Sequence, residues 1–198
     1  MMAVNERIAP PLLPLPDRQE AILDAAFAAI ATYGYRRTAM DDIARGAGIS
    51  RSALYLHYRN KEDIFRSLAE RYFEGALHDV RAALDRPGQS MEEALLAALV
   101  AKDGRFMEMV LTTPHGAELL DASFSVSADV AAAGTLRIEA ALAAWLARRK
   151  LPDGVGSPEE VARTIMTATI GLKTTARSLG EYRAGQARLA RILARALG

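Results

Sequence analysis

The sequence predicts an all-α protein: an N-terminal three-helix, helix-turn-helix domain followed by a larger helical domain, about nine helices in total. Three observations carry this prediction. Alanine and leucine dominate, while aromatic residues make up only 6% and β-branched residues are few, a balance that favours helices over strands. Apolar residues recur at steps of three and four, and no stretch of any length alternates. Finally, caps and breakers fall at helix-length intervals: Gly34, Gly48, Asn60, Pro87-Gly88, Ser90, Pro114 and Ser157-Pro158.

Taken in order, residues 1–16 carry Pro10, Pro11, Pro14 and Pro16 and predict an extended arm. The prolines, with Glu6 and Arg7, also break the continuous apolar core that a signal peptide needs. Residues 17–61 form the first domain. Its first helix, from about Asp17 to Tyr33, lines up Ile22, Ala25, Ala26, Ala29 and Ile30 and ends at Gly34. Thr38 with Asp41 has capping-box form and opens the second helix, which Gly46 and Gly48 close. Ser50 caps a third through about Tyr58, and Asn60 caps a fourth. Residues 62–198 form the second domain. The fourth helix carries the stripe Ile64, Leu68, Tyr72, Ala76, Val80 and Leu84. A fifth follows Ser90, with a bend expected near Asp103-Gly104, and Pro114-His115-Gly116 begins a short sixth. The seventh covers roughly Ala128 to Lys150. Ser157-Pro158-Glu159-Glu160 starts an eighth that is expected to run to Leu179, where Gly180 separates it from the ninth.

Composition narrows the chemistry. With no cysteine, disulfides, thiolate catalysis and Cys-ligated zinc are excluded. The three histidines, His57, His78 and His115, form no His-x₃-His pair, and neither a Gly-x-Ser-x-Gly elbow nor a phosphate loop is present. No enzymatic activity, metal or cofactor is expected. The apolar run Ala94 to Ala101 is far too short to span a bilayer, so the expectation is a soluble, cytoplasmic protein with no membrane partner.

Net charge is +1 for the whole chain, yet between Gly34 and Lys61 six basic residues stand against two acidic ones. Two short helices joined across Ala47-Gly48-Ile49 would bury Ile43, Ile49 and Leu54 and leave the basic groups outside, the footprint of phosphate contact. The same pattern also suits two packed helices with a solvated basic face, and spacing alone leaves both readings open.

The segment Ile22 to Phe65 resembles the N-terminal domain of the TetR family of bacterial transcriptional regulators. The likeness is carried by ILDAAFAAIATYGY, MDDIARGAGIS and ALYLHYRNKEDIF, above all by Leu54, Tyr55, His57, Tyr58 and Lys61 in their spacing. It implies a homodimer on double-stranded DNA with a palindromic operator. Tyr55, His57 and Lys61 would reach phosphates. Arg51 and Ser52, next to the cap Ser50, would face base edges in the major groove. Leu54 and Tyr58 would be core. Thr38 would offer its hydroxyl to a phosphate, although Ala39 stands where members often carry a second hydroxyl. Arg36 and Arg37 would assist or simply be solvated.

The resemblance also implies that the second domain binds a small molecule and dimerises. The eighth helix is apolar on two faces, and with the ninth it suggests half of a four-helix dimer interface built from Val161, Ile165, Leu172, Leu179, Leu189, Ile192 and Leu193. Candidates for contact with a small, mostly apolar effector are Phe106, Met109, Val110, His115, Phe124, Trp145, Met166, Ile170 and Thr174, residue types equally at home in a core. Lys173 either meets an anionic ligand or extends its charge to water. The alternative function is a DNA-binding protein without a ligand, or one controlled by a protein partner.

Overall fold

The structure is a computed structural model, and it describes residues 17–118 and 125–198. Among the described residues it is all-helical. The bounded helices are α1 (Asp17–Tyr33), α2 (Met40–Gly46), α3 (Arg51–Tyr55), α4 (Lys61–Leu84), α5 (Met91–Thr112), α6 (Ala128–Ala147), α7 (Pro158–Thr175) and α8 (Leu179–Leu197). The proline-rich arm and Phe124 lie outside the described residues. The expected short sixth helix begins as a turn at Pro114 and a helical start at Gly116, then continues into residues outside the description.

Local chemistry sets the ends. Gly34 adopts φ +84 and bonds back to Ile30 O, closing α1. Gly48, at φ +67, makes the tight turn between α2 and α3, a conformation that costs a β-carbon residue strain. Ser50 Oγ accepts from Ala53 N at 3.1 Å, and Asn60 Oδ1 accepts from Asp63 N at 2.8 Å. Ser90 and Ser157 each form a reciprocal box with the glutamate three residues on.

Five boundaries differ from the sequence expectation. The second helix is capped at Ala39, whose N–H donates to Asp42 Oδ2 at 3.0 Å; Thr38 is buried and its hydroxyl donates to Gly34 O instead. The third helix ends at Tyr55. α5 runs unbroken through Asp103-Gly104. α6 stops at Ala147, short of the expected Lys150. The break after α7 comes at Ala176, which is extended, and Gly180 lies inside α8. Ser178 supplies that helix start, accepting from Glu181 N at 3.1 Å while Glu181 Oε2 accepts from Arg177 N at 2.9 Å.

The interior follows the two periodicity blocks. Ile22, Leu23, Ile43, Ala44, Leu54 and Ile64 bring α1, α2 and α3 together on the first turn of α4. Farther along, α4 packs on α5 and α6, α6 on α7, and α5 on α8, around Val80, Leu95, Leu99, Ile138, Leu142, Leu146 and Ile165. α6 is long and apolar enough to cross a membrane by composition, a length the eight-residue run had not suggested, but here its Ile138, Leu142 and Leu146 are core of the bundle. A two-pronged ion pair ties α4 to α6: Arg66 donates to both carboxylate oxygens of Asp129 at 2.6 Å, which holds that carboxyl down to about 2.

Candidate nucleic-acid interface

The α2–turn–α3 unit presents one polar face. Leu54, fully buried, anchors α3 inward. Arg51, Ser52, Tyr55 and His57 are then left exposed, with Ser50 beside them. Arg51 Nη1 donates to Asp41 at 3.0 Å, and its other nitrogen lies 3.4 Å from the Tyr55 hydroxyl; contact with Tyr55, then Asp41, favours the charged guanidinium further. Both members of the Arg51–Asp41 pair are well solvated, so the pair holds the arginine in place only weakly. Ser52 Oγ is 3.0 Å from Ser50 Oγ.

Three residues expected on this face are engaged elsewhere. Thr38 is 2% exposed, so its hydroxyl is a structural donor rather than a surface group, which corrects the expectation of a phosphate contact. Arg37 donates to Tyr33 O at 2.9 Å and reaches His115, with Nη2 2.8 Å from its Nε2. Lys61 Nζ donates to Tyr35 O at 2.7 Å and Arg36 O at 3.2 Å and sits over the Tyr35 ring. A lysine at a helix start finds backbone carbonyls as readily as phosphates when a loop passes it. The Tyr35 hydroxyl is pushed up to about 12, first by burial and then by Glu62, so it stays a neutral phenol. Arg36 keeps an exposed side chain, while its N–H donates to Glu118 Oε2 at 3.3 Å.

Leu56 was missed from sequence. It is 85% exposed, between Tyr55 and His57. The signal was present: Leu54 points inward, and a residue two positions on in a helical turn must point the other way.

The expected effector residues do not form one lining. Trp145 is core, and its indole N–H donates to Leu84 O at 2.7 Å. Met166 belongs to the same core. Ile170 and Thr174 face outward from α7, Met109 and Val110 pack near Ile30 and Phe65, and His115 meets Arg37. Phe106 lies half-buried beside Tyr72 and Lys173. The dimer candidates divide as well. Val161 and Ile165 are consumed by the chain's own core, and Leu189 and Leu193 pack against it. Leu172 meets Gly185 of α8, where a β-carbon would come within 2.9 Å of it. Leu179 lies in the first turn of α8, half-buried. Of these candidates Ile192 and Ile170 are left outside, at 58% and 52% exposure, and Leu136 of α6 and Val100 of α5 are exposed as well. Among the described residues no group of three or more His, Asp or Glu could hold a metal ion.

Comparison with known proteins meets this geometry at the same helices. Residues 22–68 match the family described as bacterial regulatory proteins, tetR family. The biofilm operon icaADBC negative transcriptional regulator IcaR of Staphylococcus epidermidis is 27% identical over 109 residues, 52% of this chain and 57% of that protein. The transcriptional activator FasR of Mycolicibacterium smegmatis is 33% identical over 89 residues, 45% of this chain and 40% of that protein. The chain thus spans about half the length of the curated relatives it matches. SmeT, the repressor of the Stenotrophomonas maltophilia multidrug efflux pump SmeDEF, shares the fold with a TM-score of 0.66 and 21% identity, over 92% of this chain and 93% of that one. Residues 22–68 thus match the tetR family of bacterial regulatory proteins, and the chain beyond them shares its fold with SmeT.

Proposed function

We propose that this protein is a sequence-specific DNA-binding transcriptional regulator, a repressor rather than an enzyme, that acts as a cytoplasmic homodimer and is released from its operator by a small effector. The observation that carries the reading is the exposed cluster Arg51, Ser52, Tyr55 and His57 on a capped helix whose inner face is fixed by Leu54. A helix held this way can enter the major groove, where an arginine can bond guanine O6 and N7 together. IcaR and SmeT are repressors by name and FasR is an activator, so the fold serves both signs of control. Repression is the simpler case, because occupancy of the operator suffices.

In this reading residues 17–61 read DNA and residues 62–198 dimerise and bind the effector. Ile170 and Ile192 place apolar surface on the outer sides of α7 and α8, and a second copy is the occupant that buries both. Sedimentation of Ile192→Glu should show a monomer with an intact helical spectrum, whereas Ile165→Glu should fail to fold. A wild-type monomer at micromolar concentration contradicts the dimer. Selection of binding sequences from a random duplex pool, followed by titration at several salt concentrations, tests the DNA reading. An enriched palindrome with steep salt dependence is expected, and a pool that returns no motif would falsify it.

A further inference from the structure

A polar layer interrupts the apolar interior of the bundle. On α5 the buried positions Leu95, Leu99 and Met107 follow one another in steps of four, and Asp103 occupies the remaining place in that series. Its carboxylate is held from two sides, by Lys102 Nζ at 2.6 Å on one oxygen and by Lys173 Nζ of α7 at 2.6 Å on the other. Lys102 and Asp103 are more than nine-tenths buried, and Lys173 is partly buried, at 19% side-chain exposure. Gln186 of α8 donates to Leu99 O at 2.8 Å, while its buried Oε1 has no hydrogen-bond partner. The Tyr72 hydroxyl donates to the Lys102 carbonyl, and Thr169 Oγ1 lies 3.5 Å from Lys102 Nζ. Other ion pairs made by α5, Arg183–Glu108, Arg105–Asp79 and Arg191–Glu92, are solvated on the surface and do not enter the layer.

With both lysines protonated the layer holds two cations against one anion, an arrangement in which burial pulls Lys102 below its ordinary value. Removing ions from water is costly, and mutual attraction repays that cost only when charges balance and every donor and acceptor is used. Leucines in the same places would serve stability better. We infer that the Lys102–Asp103–Lys173 layer is the head-group site for an anionic, carboxylate-bearing effector, with Lys102 and Lys173 as its cationic partners. The inference rests on reading the bundle as an effector domain. A monocarboxylate brings the layer to neutrality, whereas a phosphate dianion would overshoot it. Lys173 stands at the edge and Lys102 behind it, so the acid approaches from α7. Phe106, half-buried with its ring 5.8 Å from Lys173 Nζ, offers the apolar body its first contact.

The test uses the full chain, thermal shift and titration calorimetry. The probes are decanoate with decanol, benzoate with benzyl alcohol, and inorganic phosphate. At least one acid should raise Tm and bind about tenfold or more tightly than its alcohol. Lys173→Met should lose at least about tenfold in that affinity, and Lys173→Arg should keep most of it. The unliganded Lys173→Met variant should melt at or above the wild-type temperature, because a balanced pair remains. If an acid and its alcohol bind equally, or only the alcohols bind, the head-group assignment fails while the effector reading stands. Phosphate binding as tightly as the acid overturns the carboxylate assignment and leaves a generic anion site. If no acid binds, the inference is wrong; if no probe of either kind shifts Tm, the effector reading is contradicted for these ligand classes too. A lower Tm for unliganded Lys173→Met marks the layer as structural and overturns the assignment.

Discussion

Charged side chains cluster in two parts of this molecule, and the two clusters are built on opposite terms. On α3, Arg51 leans on Asp41 and Tyr55 in full contact with water. In the bundle, Asp103 is clamped by Lys102 and Lys173 with almost no solvent. The first cluster adds little to stability and is free to change partners, as a group that must meet DNA has to be. The second is buried and holds one cation more than its carboxylate needs, so losing Asp103 is costly to the fold while the excess charge is left for a ligand. Charge that the fold does not need is charge available for recognition.

This contrast fixes the size of the expected effects. Asp103→Asn should be the most damaging, about 3–5 kcal/mol, because it leaves two buried ammonium groups facing each other. Thermal or denaturant unfolding reads this directly. The same variant should change the acid limb of the stability curve. Burial pushes the Asp103 carboxyl up, but Lys102 and Lys173 outweigh burial and hold it below its ordinary value. A group with a depressed native pKa contributes stability that is present above about pH 4 and is lost as pH falls through the native value. Wild-type Tm should therefore fall steeply below about pH 4, and the asparagine variant should be flatter there. A variant with unchanged Tm would erase the contrast between the two clusters.

Leu54→Ala comes next, at about 2–5 kcal/mol, since it opens a cavity where α3 meets α1 and α2. It should abolish DNA binding as α3 loosens, while the core around Trp145 stays intact by tryptophan fluorescence. Asp41→Asn should be the mildest, at most about 1 kcal/mol in stability, because it removes only an exposed pair. A loss comparable to that of Asp103→Asn would show that the α3 charges are structural after all.

The helix-turn-helix was legible because its determinants are local. Gly48, Ser50, Asn60 and the stripe from Ile22 to Ile30 each act within a few residues of themselves. Errors came where two local signals competed. Thr38 and Asp41 mimic a capping box, but Asp42 reaches the Ala39 N–H and leaves Thr38 to the α1 end. The break after α7 carries no proline and no positive-φ glycine, yet Ser178 with Glu181 was a cap signal of the kind used correctly at Ser157. Arg37 and Lys61 could not be placed from sequence, because their partners His115 and Tyr35 are brought to them by the fold. The clamp on Asp103 was half visible. Its place in the series Leu95, Leu99, Met107 marked it as buried, but nothing local named Lys173, seventy residues on, as its partner.

The central claim is that the solvated α3 cluster reads DNA, and it is tested most directly by one comparison. Wild type, Arg51→Ala and His57→Ala are titrated against the selected operator and against a scrambled duplex at two salt concentrations. Arg51→Ala should lose about 1–3 kcal/mol per half-site on the operator and little on the scrambled duplex, while His57→Ala weakens both to a similar degree. If Arg51→Ala leaves operator affinity unchanged, or weakens both duplexes equally, α3 is not the reader and the account of this face is wrong.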